Sequence, residues 1–429
     1  MDNHDAKRLQ YQAVFLPWTP FDWKAIGSSL RVGRVVFQPF DSFTTDPQAA
    51  RFLTRYFERY RDLQNRPVQT ITLCHYAPED IGFLTPLNGQ QLQEIRDAVN
   101  LLLFCAVWEE LCEFLATGFR VAAPPNAETF EIVVQAFTDE TLQTETPYIA
   151  LSTHGMLHTD ELENFWFSVP RNAHLRGEIR LELSLVNLLQ SVFYDEFPQQ
   201  QRDRILRSLE WFRIASQKDY PVPTQIVSIA TALETLLAPN ERQIKRTLAD
   251  AVDEWLRRQW GEWAIEEQRD EYSRTAAGFW MWDFYNLRNQ IVHGKPITEE
   301  ELFSLVPVKC GHETRSVAVS KADVASFMYG ILLIDGIIRL GDSSDSVAIA
   351  NDDASDEATD VSLWDTLWKV DDALANLGWR RRLEDDPQAM RLYLQTVLGE
   401  LLEPLSSESL VRERNQERPE PVVEDSTKG

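Results

Sequence analysis

The chain has 429 residues, 44% of them hydrophobic and 11% aromatic, enough to build buried cores and to exclude wholesale disorder. A formal charge of −25 at pH 7 argues against a general nucleic-acid binder and excludes general DNA binding, because phosphate contacts need a basic surface. No window approaches the ~18 uninterrupted apolar residues of a membrane span, and the polar start Met1-Asp2-Asn3-His4-Asp5 does not read as a secretory leader, so a cytoplasmic protein without a membrane partner is expected.

The first part of the chain alternates in character. Residues 11–16 and 30–37 read as strands, 46–61 as a helix around Phe52, Tyr56 and Tyr60, and 68–76 as a strand again. Residues 90–115 repeat apolar side chains at helical spacing, while 130–137 and 148–154 are β-rich. These alternations predict a mixed α/β domain over 1–177, with neither a Gly-rich phosphate loop nor a nucleophile elbow. Of the four cysteines, Cys105 and Cys112 sit in the apolar helical pattern and read as reduced core residues. Cys310-Gly311-His312 lacks the second pair that a metal site needs, and His154 and His158 flank Gly155 in a β-like context and read as loop histidines. No metal and no cofactor are expected.

From about residue 178 the pattern turns helical: 178–193, 202–216, a helix opened by Pro221 and Pro223 and running through Ile226, Ile229, Leu233, Leu236 and Leu237, then 242–260 and a long one over 266–293. After a short irregular stretch, 321–340 is an apolar helix interrupted by Gly330 and Gly336. Short connections between helices of this length predict an antiparallel bundle over 178–340, so the whole reads as α+β. Charge is uneven: net −11 over residues 1–200, −2 over 201–340 and −12 over 341–429. Residues 341–360 form an acidic, Ser/Ala-rich linker expected to be disordered. A tethered helical pair over 361–402 and an unstructured tail over 403–429 follow; the pair is either a docking element or packs on its own bundle.

One stretch carries chemistry, Tyr285-Asn286-Leu287-Arg288-Asn289-Gln290-Ile291-Val292-His293-Gly294-Lys295-Pro296. Trp280, Phe284, Leu287 and Ile291 make one apolar helical stripe, Gly294 is the expected stop and Pro296 forbids continuation. His293 then falls in the last turn, where exposed carbonyls and the helix dipole favour a cation. An imidazole with an arginine about one and a half turns upstream suits work on a phosphate ester.

Residues of roughly 200–340 resemble the HEPN superfamily, and within it the Apea-like branch. Three features in order carry the resemblance: Leu209-Glu210-Trp211-Phe212, Ala232-Leu233-Glu234-Thr235-Leu236-Leu237, and Tyr285-x-x-Arg288-Asn289-x-x-Val292-His293-Gly294. The resemblance implies metal-independent RNA cleavage in a cleft made by two paired bundles. His293 would then be general acid or base, Arg288 the phosphate-holding cation, and Asn289 an orienting amide, with Glu234 and Tyr285 in support. Arg288 and His293 are five residues apart, about 140° around an ideal helix, so one chain does not aim both at one point. That spacing favours a homodimer with a composite site. The near-neutral segment admits local, selective RNA contact. Three readings follow: an RNA-cleaving effector of toxin or anti-phage defence type, a non-catalytic sensor or scaffold that dimerises and binds a ligand or partner, and the partner of a nucleotidyltransferase.

Overall fold

The computed structural model describes residues 11–40, 53–54, 56–69, 71–76, 85–120, 123–137, 149–150, 166–173, 177–237, 243–310, 313–343 and 369–382. Its strands are β1 (Tyr11–Leu16), β2 (Leu30–Val32), β3 (Val35–Pro39), β4 (Tyr60–Arg61), β5 (Thr72–Tyr76), β6 (Val133–Phe137), β7 (Ile149–Ala150), β8 (Phe167–Ser168), β9 (Glu266–Arg269), β10 (Tyr272–Thr275), β11 (Phe303–Cys310) and β12 (Glu313–Ser320). The helices are α1 (Trp23–Ile26), α2 (Gly89–Thr117), α3 (Leu183–Gln190), α4 (Gln199–Ala215), α5 (Val222–Leu237), α6 (Ile244–Trp260), α7 (Ala276–Val292), α8 (Glu299–Leu302) and α9 (Lys321–Ser343). The protein is therefore α+β.

Six strands form one antiparallel sheet in the order β2-β3-β5-β1-β6-β7. Successive side chains point to opposite faces, and β1 buries both: Val14 and Leu16 join the main core with α2, while Ala13 and Phe15 join an aromatic cluster with Tyr56, Phe57 and Tyr60. The single strand expected over 30–37 is instead a hairpin. Gly33 at φ +57° turns the chain so that Val32 pairs with Val35, and a Cβ there would stand 2.7 Å from the Phe193 Cβ. Of the helix expected over 46–61, residues 53–54 and 56–57 are helical, but Tyr60 and Arg61 pair in parallel with β8; residues 41–52 lie outside the described residues.

Over residues 98–108 helix α2 is apolar on every side but for Asn100, the mark of a helix segment surrounded by protein. Asn88 and Gln91 cap its start reciprocally, and Gly118 at φ +70° ends it. Cys105 and Cys112 are free and buried in it, as expected. The main core is continuous from Val14 to Trp379 and crosses residue 177 without a break, and the described residues up to Arg380 make one compact unit. Helix α2 packs on α4, α4 on α5, α6 on α7, and α9 on α5.

Three further expectations are corrected. The helix expected over 178–193 is confined to Leu183–Gln190 and a 3-10 turn at Ser191–Phe193, because Ile179 forms a parallel bridge with Phe21, donating to Pro20 O at 2.7 Å and accepting from Asp22 N at 2.9 Å. The long helix expected over 266–293 begins only at Ala276. Residues 266–275 are charged and have no apolar stripe to bury; they form the β9–β10 hairpin, turned at Asp270 with φ +53°. The irregular stretch expected before residue 321 is the β11–β12 hairpin, in which Val306, Val308 and Val319 are buried while Leu305, Pro307 and Lys309 face outward.

Helix α9 continues to Ser343, into the start of the expected linker, whose residues 344–360 lie outside the described residues. Within the expected C-terminal pair, residues 369–376 are helical and pack on the body: Val370, Ala373, Leu374 and Trp379 belong to the main core. Asn376 donates to the carbonyls of Leu115 and Ala116, both at 2.8 Å, closing the end of α2. The second expected helix and the tail lie outside the described residues.

Candidate functional site

The site is built on α7, and both ends of that helix are tightly specified. At its start the Thr275 hydroxyl accepts from Gly278 N at 3.0 Å as the N-cap. Buried Asp253 of α6 fixes that cap, accepting from Thr275 N at 2.9 Å, Thr275 Oγ1 at 2.6 Å and Arg274 at 2.7 Å. At its finish, Gly294 takes φ +66°, Gly294 N donates to Ile291 O and Lys295 N donates to Gln290 O, each at 3.0 Å. This double bond pattern is a Schellman motif. It leaves His293 at the C-cap, exposed to solvent.

Arg288 and Tyr285 turn toward α5. Arg288 pairs with Glu234 at 3.3 Å, and the Tyr285 hydroxyl donates to the same Glu234 oxygen at 2.9 Å. The guanidinium also donates to Asn289 Oδ1 at 3.2 Å and lies 5.3 Å from the Tyr285 ring centroid. Both members of the ion pair are only 21% exposed, and the Arg288 Nε is buried without a hydrogen-bond partner among the described residues. Burial, with the hydrogen bond to Glu234 second, pushes the Tyr285 hydroxyl up to about 12, so it stays a donor at any physiological pH.

Glu234, Tyr285, Arg288 and Asn289 are thus brought into one hydrogen-bonded group spanning α5 and α7. His293 stands apart from it. Asn289, a residue expected to orient either the imidazole or a phosphate, accepts from Arg288. Comparison with family models, with curated proteins and with solved structures returned no match. The arrangement must be read on its own chemistry: a held cation, a capped helix end and an accessible imidazole on one element.

A second face of α7 went unread in the sequence. Trp282, Asn286, Asn289 and His293 follow at i, i+4, i+7 and i+11 and form one stripe. Lys245, near the start of α6, meets it: its ammonium lies 3.8 Å from the Trp282 ring centroid and donates to Asn286 Oδ1 at 3.1 Å. The spacing of the stripe was available from the sequence, but the crossing of α6 that delivers Lys245 was not. The site is an open helix surface. A cleft of about 630 Å³ lies elsewhere, between the β2–β3 hairpin and α3, where Arg31, Arg34, Asn187, Phe193 and Asp195 line it.

Proposed function

We propose that this chain is a metal-independent endoribonuclease of HEPN type, an effector of the toxin or anti-phage defence class, whose cleavage site is completed by a second copy of the chain through its helical bundle. The observation that carries the reading is the division of labour on α7. Arg288 is held by Glu234 and Tyr285, while His293 sits exposed to solvent at the capped helix end. In the reaction, one His293 takes the proton of a ribose 2′-hydroxyl and O2′ attacks the adjacent phosphorus. The P–O5′ bond breaks, and the 5′-oxygen leaves with a proton from the imidazolium of the second copy's histidine. The products are a 2′,3′-cyclic phosphate and a 5′-hydroxyl. Arg288 faces the charge that grows on the non-bridging oxygens, a task its planar fork suits.

The reading is tested by incubating purified protein with labelled RNA in excess EDTA and identifying the new termini. The expected result is cleavage leaving 2′,3′-cyclic phosphate ends, lost by at least about 100-fold in His293→Ala, the scale of one general acid–base group. Cleavage equal in the wild type and in His293→Ala and Arg288→Ala would refute it. A second reading has its own support: the Arg288 charge is neutralised by Glu234 and its Nε is buried, as suits a bundle that only dimerises and binds a partner. In that case the same two substitutions shift melting temperature or association state and leave RNA intact throughout.

A further inference from the structure

The stripe that carries His293 is also met by a cation, Lys245 of α6, that no carboxylate binds among the described residues. Around α7 the arginines are bound to carboxylates: Arg246 to Asp250 at 3.5 Å, Arg274 to Asp250 and Asp253 at 2.7 Å each, Arg269 to Asp283 at 2.6 Å and Arg288 to Glu234 at 3.3 Å. Lys245 differs. Among the described residues its partners are an aromatic face and a neutral amide, Trp282 and Asn286, so its position is restrained while its charge is left whole. The nearest acid on the helix, Asp283, is engaged by Arg269. Asn286 precedes His293 by seven residues, about 10 Å along an α-helix and close to two full turns, so the residue that holds the ammonium and His293 lie on one side of α7.

We propose that Lys245 binds a phosphate of a single-stranded RNA substrate, next to the scissile one, with the strand following α7 from His293 toward Trp282. The inference rests on the ribonuclease reading of His293. It deepens that reading by giving the substrate a direction and a second anchor. Trp282 holds the ammonium over its ring and Asn286 accepts a hydrogen bond from it before substrate arrives, so little ordering is left to be done on binding. The contact is to backbone phosphate and carries no base preference.

The test is binding of a labelled, uncleavable 2′-O-methyl oligonucleotide to the full-length protein, followed by fluorescence anisotropy over a range of salt concentrations. Lys245→Met keeps an unbranched chain on Trp282 without the charge. It should weaken binding by roughly three- to ten-fold and flatten the slope of log affinity against log salt by about 0.7, one phosphate contact on a single strand. Lys245→Arg should restore most of the affinity, and melting temperatures of all three proteins should agree. Wild-type affinity and slope in Lys245→Met would overturn the proposal, as would no binding by the wild type or equal competition by polyglutamate, which would mark the stripe as a site for an acidic protein. A wild type that binds with the expected slope but leaves cleavable RNA intact refutes the ribonuclease reading alone. Cleavage with an unchanged Lys245→Met refutes this contact alone.

Discussion

Glu234 serves two donors at once, and that decides how Arg288 is presented. One carboxylate oxygen takes both the Tyr285 hydroxyl and the guanidinium, so the arginine is fixed in rotamer but partly neutralised. A phosphate at this place would compete with Glu234 for Nη atoms while the Arg288 Nε waits without a bond. Another carboxylate tells a purely structural story. Asp97 is 8% exposed inside α2, and burial holds its carboxyl up at about 6 despite the hydrogen bond from Gln93, with Glu210 and Glu94 adding to the effect. Its folded pKa is raised, so the native state binds the proton more tightly than the unfolded chain. Stability from this group is complete below about pH 4 and is lost as pH rises through about 6. Asp97→Asn, which keeps an acceptor for Gln93, should therefore raise unfolding free energy by about 1–3 kcal/mol at pH 8 and by nothing resolvable at pH 4, read by urea denaturation at both pH values.

At the scale of elements, the strongest constraint is where α7 begins. Gly278 lies against the Asp253 carboxylate, and a Cβ there would stand 2.5 Å from the carboxyl carbon. Gly278→Ala should displace Asp253 from Thr275 and Arg274 and cost about 2–4 kcal/mol, as overpacking of a buried polar network does. Gly336 in α9 has nothing within 4 Å of its Cβ position, so Gly336→Ala should instead gain roughly 0.5–1 kcal/mol from helix propensity. Thermal unfolding of the two variants side by side checks the opposite signs. The same places show what a sequence can and cannot disclose. The end of α7 was legible because Gly294 and Pro296 are local signals that no distant residue has to approve. The start was not, because the N-cap at Thr275 is fixed by Asp253 from another helix, a contact that no local signal in 266–275 announces. Pro307 is tolerated in β11 because that strand pairs on one side only, in a two-stranded hairpin. Within the candidate site, Arg288, Asn289 and His293 stood out by spacing, whereas a supporting role for Glu234 came only from the family resemblance; the structure pairs it with Arg288 at 3.3 Å. Lys245 was not foreseen, since it approaches α7 only through the packing of α6 on it.

At the scale of the whole molecule, the sheet and the helices are not independent bodies. The middle of helix α2 is buried between them, and its end is closed by Asn376 from residues 369–380. The strap also reaches the site helix: Ile265 N donates to Trp379 O at 3.0 Å, and the Trp379 ring lies 5.4 Å from that of Trp280 on α7. Asn376→Ala strips two buried carbonyls of their donor and should cost about 2–4 kcal/mol. It should also let a protease cut near residues 369–380 well before the melting transition, which limited proteolysis followed by mass spectrometry reports directly; a single cooperative transition with no early cut would show that the strap is not held by that side chain.

The distance in sequence between Asn376 and Leu115, 261 residues, has a consequence for how the protein is made. A ribosome that has completed the sheet, α2 and even the His293 helix has still not supplied the groups that close α2. Translation runs N-terminal first at about 5–20 residues per second, so α2 emerges long before its last partner, and its final carbonyls must wait for the strap to be synthesised. Maturation is timed by the ribosome, and an interrupted message leaves a chain that holds every proposed catalytic side chain and lacks its final clasp.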